Sequence, residues 1–393
     1  MPSGVKKNMY YGDERKTDYQ RIEDISGLKD FVRKLEKEKI IAVDLEADSM
    51  YHFQEKVCLI QMATPNLTCV IDPLGVQDLS ALKAVFANPA VKKIFHGADY
   101  DIRSLYRDFR IEIHHLFDTQ LASMFLGEKE TSLEAVLQKR FRITLNKKYQ
   151  RKDWSARPLP EAMFDYAAED ARYLIPLAEI LEKELRKKKR LSWVTEECEY
   201  LSRVRPATEA NNPLFCNFKG AGRLDRRSLA VLEALLQYRR NVARKKDKPL
   251  FKILSNRVLL ELARAKPVNL NQLSGKRFLS QKQVQMHGVA LIKAIKSALK
   301  ITEKRLPVYP RKKKPALAPD VPGWIKKIKT WRDIKARTLE IDPGLLINKA
   351  LIQVIAIKKP RCQKDLNEIP EMKNWQRKAF GPEFLRFFKN EKQ

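Results

Sequence analysis

Apolar residues in the first half of the chain form short continuous runs, separated by stretches in which they recur every three or four residues. The continuous runs predict buried strands at residues 40–46, 57–63, 68–72 and 93–96. The helical spacing predicts helices at residues 28–37, 79–86 and 160–185. Pro65 and Asn66, between two of the runs, predict a hairpin turn. Strands that alternate with helices in this order are typical of an α/β domain with a mixed sheet.

The second half of the chain has helical spacing, and it contains two similar units about 92 residues apart. Each unit has a basic helix, then an apolar helix that an Asn opens and a Pro follows, and then a last helix. The apolar helix begins at Asn256 in the first unit and at Asn348 in the second, and it ends before Pro267 and Pro360 respectively. Two copies are too few for a solenoid, so we expect a duplicated helical domain.

Breaker residues and composition divide the chain into six segments. Pro206, Gly220 and Gly222 interrupt the stretch between the two halves. The basic, Pro-rich stretch between the helical units is a stiff spacer, with phosphate contact as an additional role. The predicted segments are a polar lead-in (1–20), an α/β domain (21–190), a connector (191–222), a first helical domain (223–300), a linker (301–322) and a second helical domain (323–393).

The charge of the chain is strongly positive and unevenly placed. The 393 residues carry a formal net charge of +30. Residues 1–180 hold 27 basic and 28 acidic residues, whereas the remainder holds 51 and 20. The second half is therefore expected to bind a polyanion, either a nucleic acid or a membrane surface. No apolar run is long enough to span a bilayer, so we expect no membrane-spanning segment.

The N-terminal residues and the cysteines suggest a cytoplasmic location. Residues 1–16 lack the apolar core of a signal peptide. The five cysteines are scattered, without a Cys-x-x-Cys pair, which is typical of reduced thiols and argues against disulfides or a zinc site.

Two carboxylates stand one residue apart at the end of the first predicted strand. Side chains at i and i+2 of a strand point to the same face, so Asp44 and Glu46 are expected to lie side by side. Adjacent carboxylates repel unless a cation lies between them, and hard divalent ions prefer such oxygen ligands. The alternative is a strand that runs into a polar turn.

Two further acidic positions have both a functional and a structural interpretation. Asp101 follows a strand and a glycine turn, and either it faces Asp44 or it merely suits the first turn of a helix that Asp99 caps. Tyr166 and Asp170 are four residues apart and share one face of a helix, which is also an ordinary arrangement in an amphipathic helix.

Taken in order, these motifs resemble the DEDD superfamily of 3′→5′ exonucleases in its tyrosine-bearing form. Three other segments resemble the ribonuclease D family, and 96–98 followed by Asp101 also resembles the exosome-associated nuclease of that family. The two helical units resemble the HRDC domain, of which ribonuclease D carries two. The resemblance implies an α/β, ribonuclease H-like exonuclease domain followed by two all-α HRDC domains. The three segments that resemble the ribonuclease D family are residues 70–75, 117–120 and 153–159.

The same resemblance implies a mechanism. Asp44, Glu46, Asp101 and Asp170 would hold two divalent metal ions, Mg²⁺ or Mn²⁺, and Tyr166 would orient the attacking water. The product would be a nucleoside 5′-monophosphate released from single-stranded RNA 3′ ends, with tRNA precursors as the substrate. No membrane and no obligate protein partner are expected.

Substrate contacts are predicted at two positions and in the basic helical domains. Leu45 would pack against the terminal base, or it is a core residue; Lys147 would neutralise a phosphate, or it is a surface lysine. The helical domains would hold RNA through contacts to its phosphates, which do not distinguish one base sequence from another. Removal of residues 223–393 is therefore expected to weaken binding of long RNA while short oligonucleotides are still cleaved.

Two other functions remain open from the residues alone. The chain could be a DNA exonuclease of the same superfamily, because no residue indicates a contact to the ribose 2′-hydroxyl. It could also be a nucleic-acid-binding protein with an inactive nuclease domain, although carboxylates at all four positions argue against this.

Overall fold

The computed structural model describes residues 18–207, 212–275, 278–310 and 317–389. Most of the predicted lead-in and part of the predicted linker lie outside the described residues. The described residues form two compact units: one comprises those of the ranges 1–47, 57–206 and 316–393, and the other those of 48–56 and 207–315. The boundaries of the six predicted segments stay predictions. None of the described helices combines the length and hydrophobicity needed to cross a membrane.

A six-stranded mixed sheet is the centre of the first unit, as the alternation of strands and helices predicted. Its strand order is β1-β4-β3-β2-β5-β6. β2, β3 and β4 are antiparallel neighbours, whereas the remaining pairs are parallel. The predicted hairpin joins β3 and β4, with the Thr64 N–H donating to the Leu67 carbonyl at 2.8 Å. The strands are β1 (Gln20–Ile22), β2 (Ile40–Ala47), β3 (Val57–Ala63), β4 (Thr68–Ile71), β5 (Lys92–Phe95) and β6 (Leu116–Asp118).

In the described part of the first unit, nine helices precede the helical repeats. The single helix predicted over 160–185 is wrong: the structure has two helices that meet at Tyr173. Pro176 explains the break, because it has no N–H to donate and its ring collides with the carbonyl four residues earlier. The helices are α1 (Ile25–Leu35), α2 (Pro73–Val76), α3 (Ser80–Ala87), α4 (Asp99–Phe109), α5 (Thr119–Leu126), α6 (Leu133–Phe141), α7 (Glu161–Arg172), α8 (Leu174–Lys187) and α9 (Leu191–Ser202).

The second unit contains the first helical repeat. Its helices surround a core of their own, in which Leu232, Leu262 and Ile295 are fully buried. Ser255, not Asn256, caps the apolar helix by accepting from the Val258 N–H. The helices are α10 (Arg226–Lys245), α11 (Leu250–Ile253), α12 (Asn256–Ala265), α13 (Leu270–Gly275) and α14 (Gln281–Leu299).

The second helical repeat follows the same plan but belongs to the first unit. Its last four helices begin 93 residues after their counterparts in the first repeat, which confirms the duplication. Ile328, Ile355 and Phe384 belong to the same hydrophobic core as the sheet. The helices are α15 (Val321–Leu339), α16 (Pro343–Leu346), α17 (Lys349–Lys358), α18 (Gln363–Asn367) and α19 (Asn374–Lys389).

Helix α9 is one contact between the second repeat and the rest of the first unit. The indole of Trp193 on α9 stacks on that of Trp375, with ring centroids 4.7 Å apart. Glu196 accepts from the Trp375 backbone N–H at 2.7 Å. Just before α9, the buried Arg190 donates to the Leu339 carbonyl at 2.7 Å. Apolar packing and hydrogen bonds therefore both join the second repeat to the α/β part of the unit.

Candidate active site

Asp44 and Glu46 project from the same face of β2, which is a central strand of the sheet. Both side chains are half-buried. In the antiparallel register with β3, Asp44 lies opposite Gln61 and Glu46 lies opposite Leu59. Leu59 packs with residues of α7, so α7 covers the face that carries the two carboxylates. The strand periodicity therefore places both acidic groups on one face of the sheet, as predicted, and α7 packs on that face.

Asp101 lies in the first turn of α4, and a glycine turn precedes the helix. Gly97 has a φ of +75°, a conformation that favours glycine. Asp118 holds this turn, because its carboxylate accepts from the Gly97 N–H at 3.0 Å and from the Ala98 N–H at 2.8 Å. Asp99 does not cap the helix; its carboxylate binds Arg103.

Asp118 is a positioning residue that the sequence analysis did not identify. The same carboxylate caps α5 by accepting from the Gln120 N–H at 2.8 Å and the Leu121 N–H at 3.0 Å. The Asp118 N–H in turn donates to the Cys198 sulfur of α9 at 3.3 Å. An Asp directly before a helix is a readable cap signal, but its second set of contacts is visible only in the fold.

Tyr166 and Asp170 lie one turn apart on α7, which packs on β2, β3 and β4. The Tyr166 ring contacts the rings of Tyr149 and Trp154, with centroids 5.8 and 6.0 Å away. These aromatic contacts fix the ring against the segment that precedes α7.

Arg157 fastens that preceding segment to the sheet. Its guanidinium donates to both carboxylate oxygens of Asp72, at 2.7 and 2.8 Å, and to the Cys58 carbonyl at 3.0 Å. Trp154 is 1% exposed and packs with α7. Arg157 and Trp154 therefore lock the segment before α7.

The four acidic side chains lie within each other's electrostatic field. Burial, followed by the charges of Asp44, Asp170 and Asp101, raises the pKa of Glu46 well above its ordinary value. Burial and then Asp44 raise the pKa of Asp101 and of Asp170. Burial raises the pKa of Asp44 to about 6. The fold therefore brings together the acidic groups that lie 126 residues apart along the chain.

Tyr166 lies in the same field. Burial raises the pKa of its phenol, and the charges of Asp170, Glu46 and Asp44 raise it further. The hydroxyl therefore keeps its proton at neutral pH.

The oxygen atoms of the four carboxylates are chemically suited to bind a hard divalent cation. Within the described ranges, no three His, Cys, Asp or Glu side chains already form a group that could hold a metal ion. The mutual charge effects nevertheless show that the carboxylates are near one another, and a divalent cation would relieve the repulsion that burial intensifies. Oxygen donors of this kind are the ligands that Mg²⁺ and Mn²⁺ prefer. The chemistry of these donors therefore fits such an ion.

The two residues predicted to contact substrate have different surroundings. Leu45 points away from its two acidic neighbours, is 9% exposed and belongs to the main core. Its position favours the alternative in which it is a core residue. Lys147 is exposed and forms an ion pair with Glu134. Its role at a phosphate stays a prediction.

Comparison with known proteins gives the same domain types as the motifs. Residues 19–186 match the 3′-5′ exonuclease family, and residues 228–295 and 323–387 match the HRDC domain. Ribonuclease D of Desulfotalea psychrophila is 30% identical over 335 residues, which cover 84% of this chain and 89% of that protein. Protein RRP6-like 2 of Arabidopsis thaliana is 34% identical over 280 residues, 68% of this chain; the chain spans about a third (32%) of that relative.

A solved structure shares the fold over nearly the whole chain. The crystal structure of Escherichia coli RNase D matches with a TM-score of 0.71 and 25% identity, covering 96% of this chain and 100% of that one. That protein is described as an exoribonuclease involved in structured RNA processing. The match includes the α/β part and both helical repeats.

Proposed function

Because this chain belongs to the ribonuclease D family and is a 3′→5′ exoribonuclease, we propose that it trims structured RNA, such as tRNA precursors, at single-stranded 3′ ends. The observation that carries the proposal is the shared electrostatic field of Asp44, Glu46, Asp101 and Asp170 on one face of the sheet. The substrate class follows that of the similar Escherichia coli enzyme. The free cysteines fit a cytoplasmic site of action.

Exonucleases of this fold are metal-dependent, and two divalent ions, Mg²⁺ or Mn²⁺, are the proposed cofactors. Asp44, Glu46, Asp101 and Asp170 would hold them. When bound, such ions lower the pKa of a water and neutralise the charge of the scissile phosphate.

The chain's own residues would position the reactants. The Tyr166 hydroxyl is held by its aromatic neighbours and remains protonated, so its proposed role is to orient the attacking water. Attack at the last phosphate breaks its bond to the 3′-oxygen of the preceding nucleotide. A nucleoside 5′-monophosphate leaves, and the shortened RNA keeps a 3′-hydroxyl.

The second half of the chain would bind the body of the RNA. Residues 181–393 hold 31 more basic than acidic residues. Lys and Arg contacts to phosphates supply affinity that does not depend on sequence and weakens with salt. This division leaves the choice of the cleaved bond to the acidic face of the sheet.

A cleavage assay on end-labelled RNA and DNA of matched sequence tests the proposal. We expect stepwise shortening of RNA from its 3′ end, release of 5′-monophosphates and complete inhibition by EDTA. Asp44→Asn, which keeps the shape of the side chain, should slow cleavage by at least about 10³-fold, since several kcal/mol of charge stabilisation is lost.

Three results would contradict different parts of the proposal. RNA cleavage by Asp44→Asn at the wild-type rate would exclude the assignment of the acidic residues. Equal cleavage of RNA and DNA would exclude a preference for RNA. Binding of RNA without any cleavage in Mg²⁺ or Mn²⁺ would favour a purely binding role.

A further inference from the structure

Gln61 is a buried amide beside the candidate active site. It lies on β3, directly opposite Asp44 in the antiparallel register, and it is 0% exposed. Side chains of directly opposed residues share one face of the sheet, with their Cβ atoms about 4.5–5.5 Å apart. The Gln61 amide therefore lies within reach of the Asp44 carboxylate, on the face that α7 covers.

Neither polar atom of this amide is satisfied. Nε2 and Oε1 of Gln61 both lack a hydrogen-bond partner among the described residues. Gln61 is also the only side chain in the described ranges with two such buried atoms. A buried amide without partners destabilises the fold, and an apolar side chain of the same size would avoid that cost. Packing alone therefore gives no reason for a glutamine at this position.

Gln376 shows what a structural glutamine looks like in the same unit. It is also buried, but its Nε2 donates to the Leu346 carbonyl at 2.7 Å and its Oε1 accepts from the Lys373 N–H at 2.9 Å. Its amide joins two segments of the second repeat. Gln61 has no contacts of this kind in the described part of the chain, although its neighbour across the strands is a proposed metal ligand.

We propose that Gln61 is a positioning residue for Asp44: its Nε2 group donates a hydrogen bond to an Asp44 carboxylate oxygen when the site binds a divalent cation. Carboxylates that bind metals are themselves held by neighbouring hydrogen bonds, which fix their orientation. An amide provides such a donor without a positive charge that would compete with the cation. This inference rests on the proposed function of Asp44.

The test compares Gln61→Met with Gln376→Met as its matched control. Both substitutions replace a buried amide with an apolar side chain of similar length. Three quantities are measured on the full chain: the melting temperature without metal, the Kd for Mn²⁺ by titration calorimetry, and kcat and KM on a short RNA.

Gln61→Met is expected to melt at or above the wild-type temperature, because it removes an unsatisfied amide. Its Kd for Mn²⁺ should rise by about 10-fold or more, the usual effect of losing a neighbour of a metal ligand. At low Mn²⁺ its kcat should fall with little change in KM, and high Mn²⁺ should restore it. Gln376→Met should melt at a lower temperature and keep the wild-type Kd for Mn²⁺.

Two outcomes would overturn the inference. An unchanged Kd for Mn²⁺ in Gln61→Met would show that Asp44 does not need the amide. A loss of melting temperature as large as that of Gln376→Met would show a structural role. Asp44→Asn separates this inference from the proposed function: if it binds Mn²⁺ like the wild type, the proposed function fails, whereas if only Gln61→Met does so, this inference alone fails.

Discussion

The two helical repeats have the same order of helices and nearly the same spacing, yet they are stabilised in different ways. The first repeat packs around its own core, within a compact unit that excludes the sheet. The second repeat belongs to one continuous core with the sheet. A duplicated domain can therefore provide a separate module in one copy and part of the catalytic body in the other.

A chain of contacts connects the second repeat to the acidic site. Trp375 stacks on Trp193 of α9, and Cys198 of the same helix accepts from the Asp118 N–H. Asp118 in turn holds the Gly97 turn that starts the helix of Asp101. Loss of the second repeat is thus expected to disturb a catalytic carboxylate as well as to expose the core.

Deletion of each repeat is the strongest test of this difference. Removal of residues 317–393 should yield an unfolded or aggregated protein without activity, because core residues such as Ile355 and Phe384 are lost. Replacement of residues 212–310 by a flexible Gly/Ser linker should leave a folded protein that still cleaves a short oligonucleotide. Circular dichroism, thermal melting and the cleavage assay distinguish the two outcomes.

This expectation differs from the one drawn from sequence, in which removal of residues 223–393 weakens binding of long RNA while short oligonucleotides are still cleaved. The physical reason is the shared core, since the deletion would remove apolar partners of α5 and α9 such as Trp375. An active, monomeric protein that lacks residues 317–393 would contradict the structural interpretation. Removal of the basic repeats is expected to reduce the salt dependence of RNA binding only for RNA long enough to contact them.

A pair of equivalent single substitutions examines the same difference with a smaller effect. Trp375 is 2% exposed, and the residue 93 positions earlier, Lys282, is exposed. Trp375→Ala should lower the free energy of unfolding by about 3–5 kcal/mol, the usual cost of deleting a buried aromatic side chain. Lys282→Ala should change it by less than about 0.5 kcal/mol, because it is a surface substitution. Denaturant unfolding followed by fluorescence measures both, and comparable effects would contradict the proposed difference.

Elements with strong periodicity were predicted correctly from the sequence. Elements whose formation depends on long-range contacts were not. The four predicted strands and the β3–β4 hairpin are present. The strands β1 and β6 were missed because three residues are too few to show alternation, and their pairing with β4 and β5 stabilises them. The break before α8 was predictable from Pro176.

In the candidate site, too, local spacing predicted some residues, whereas the roles of others depend on the fold. Spacing along single elements predicted that Asp44 pairs with Glu46 and Tyr166 with Asp170, and the electrostatic field now links both pairs. The roles of Asp118 and Gln61 depend on neighbours across the fold, so no local pattern indicated them. The difference between the repeats had a readable signal, since Trp375 replaces a lysine at the equivalent position.

The smallest expected effect concerns a feature that the repeats share. Each has a buried arginine at the equivalent position, Arg239 and Arg332. Arg239 donates to the Leu254 carbonyl at 3.1 Å and to the Asn256 side chain at 2.7 Å. Arg332 also donates to the equivalent carbonyl, that of Ile347, at a longer 3.5 Å, and it directs two other N–H groups to Asp333, at 2.7 and 2.9 Å.

Arg239→Met should lower the free energy of unfolding by about 1–2 kcal/mol, because it leaves a buried carbonyl without its donor. Arg332→Met should cost less than about 1 kcal/mol, since its bond to the Ile347 carbonyl is long, at 3.5 Å, and Asp333 is partly exposed and can bind water instead. Because the repeats belong to different compact units, each substitution should shift a different unfolding transition, and only that of Arg332→Met should coincide with loss of cleavage. A single shared transition for both variants would show that the two units unfold together, in spite of their separate cores.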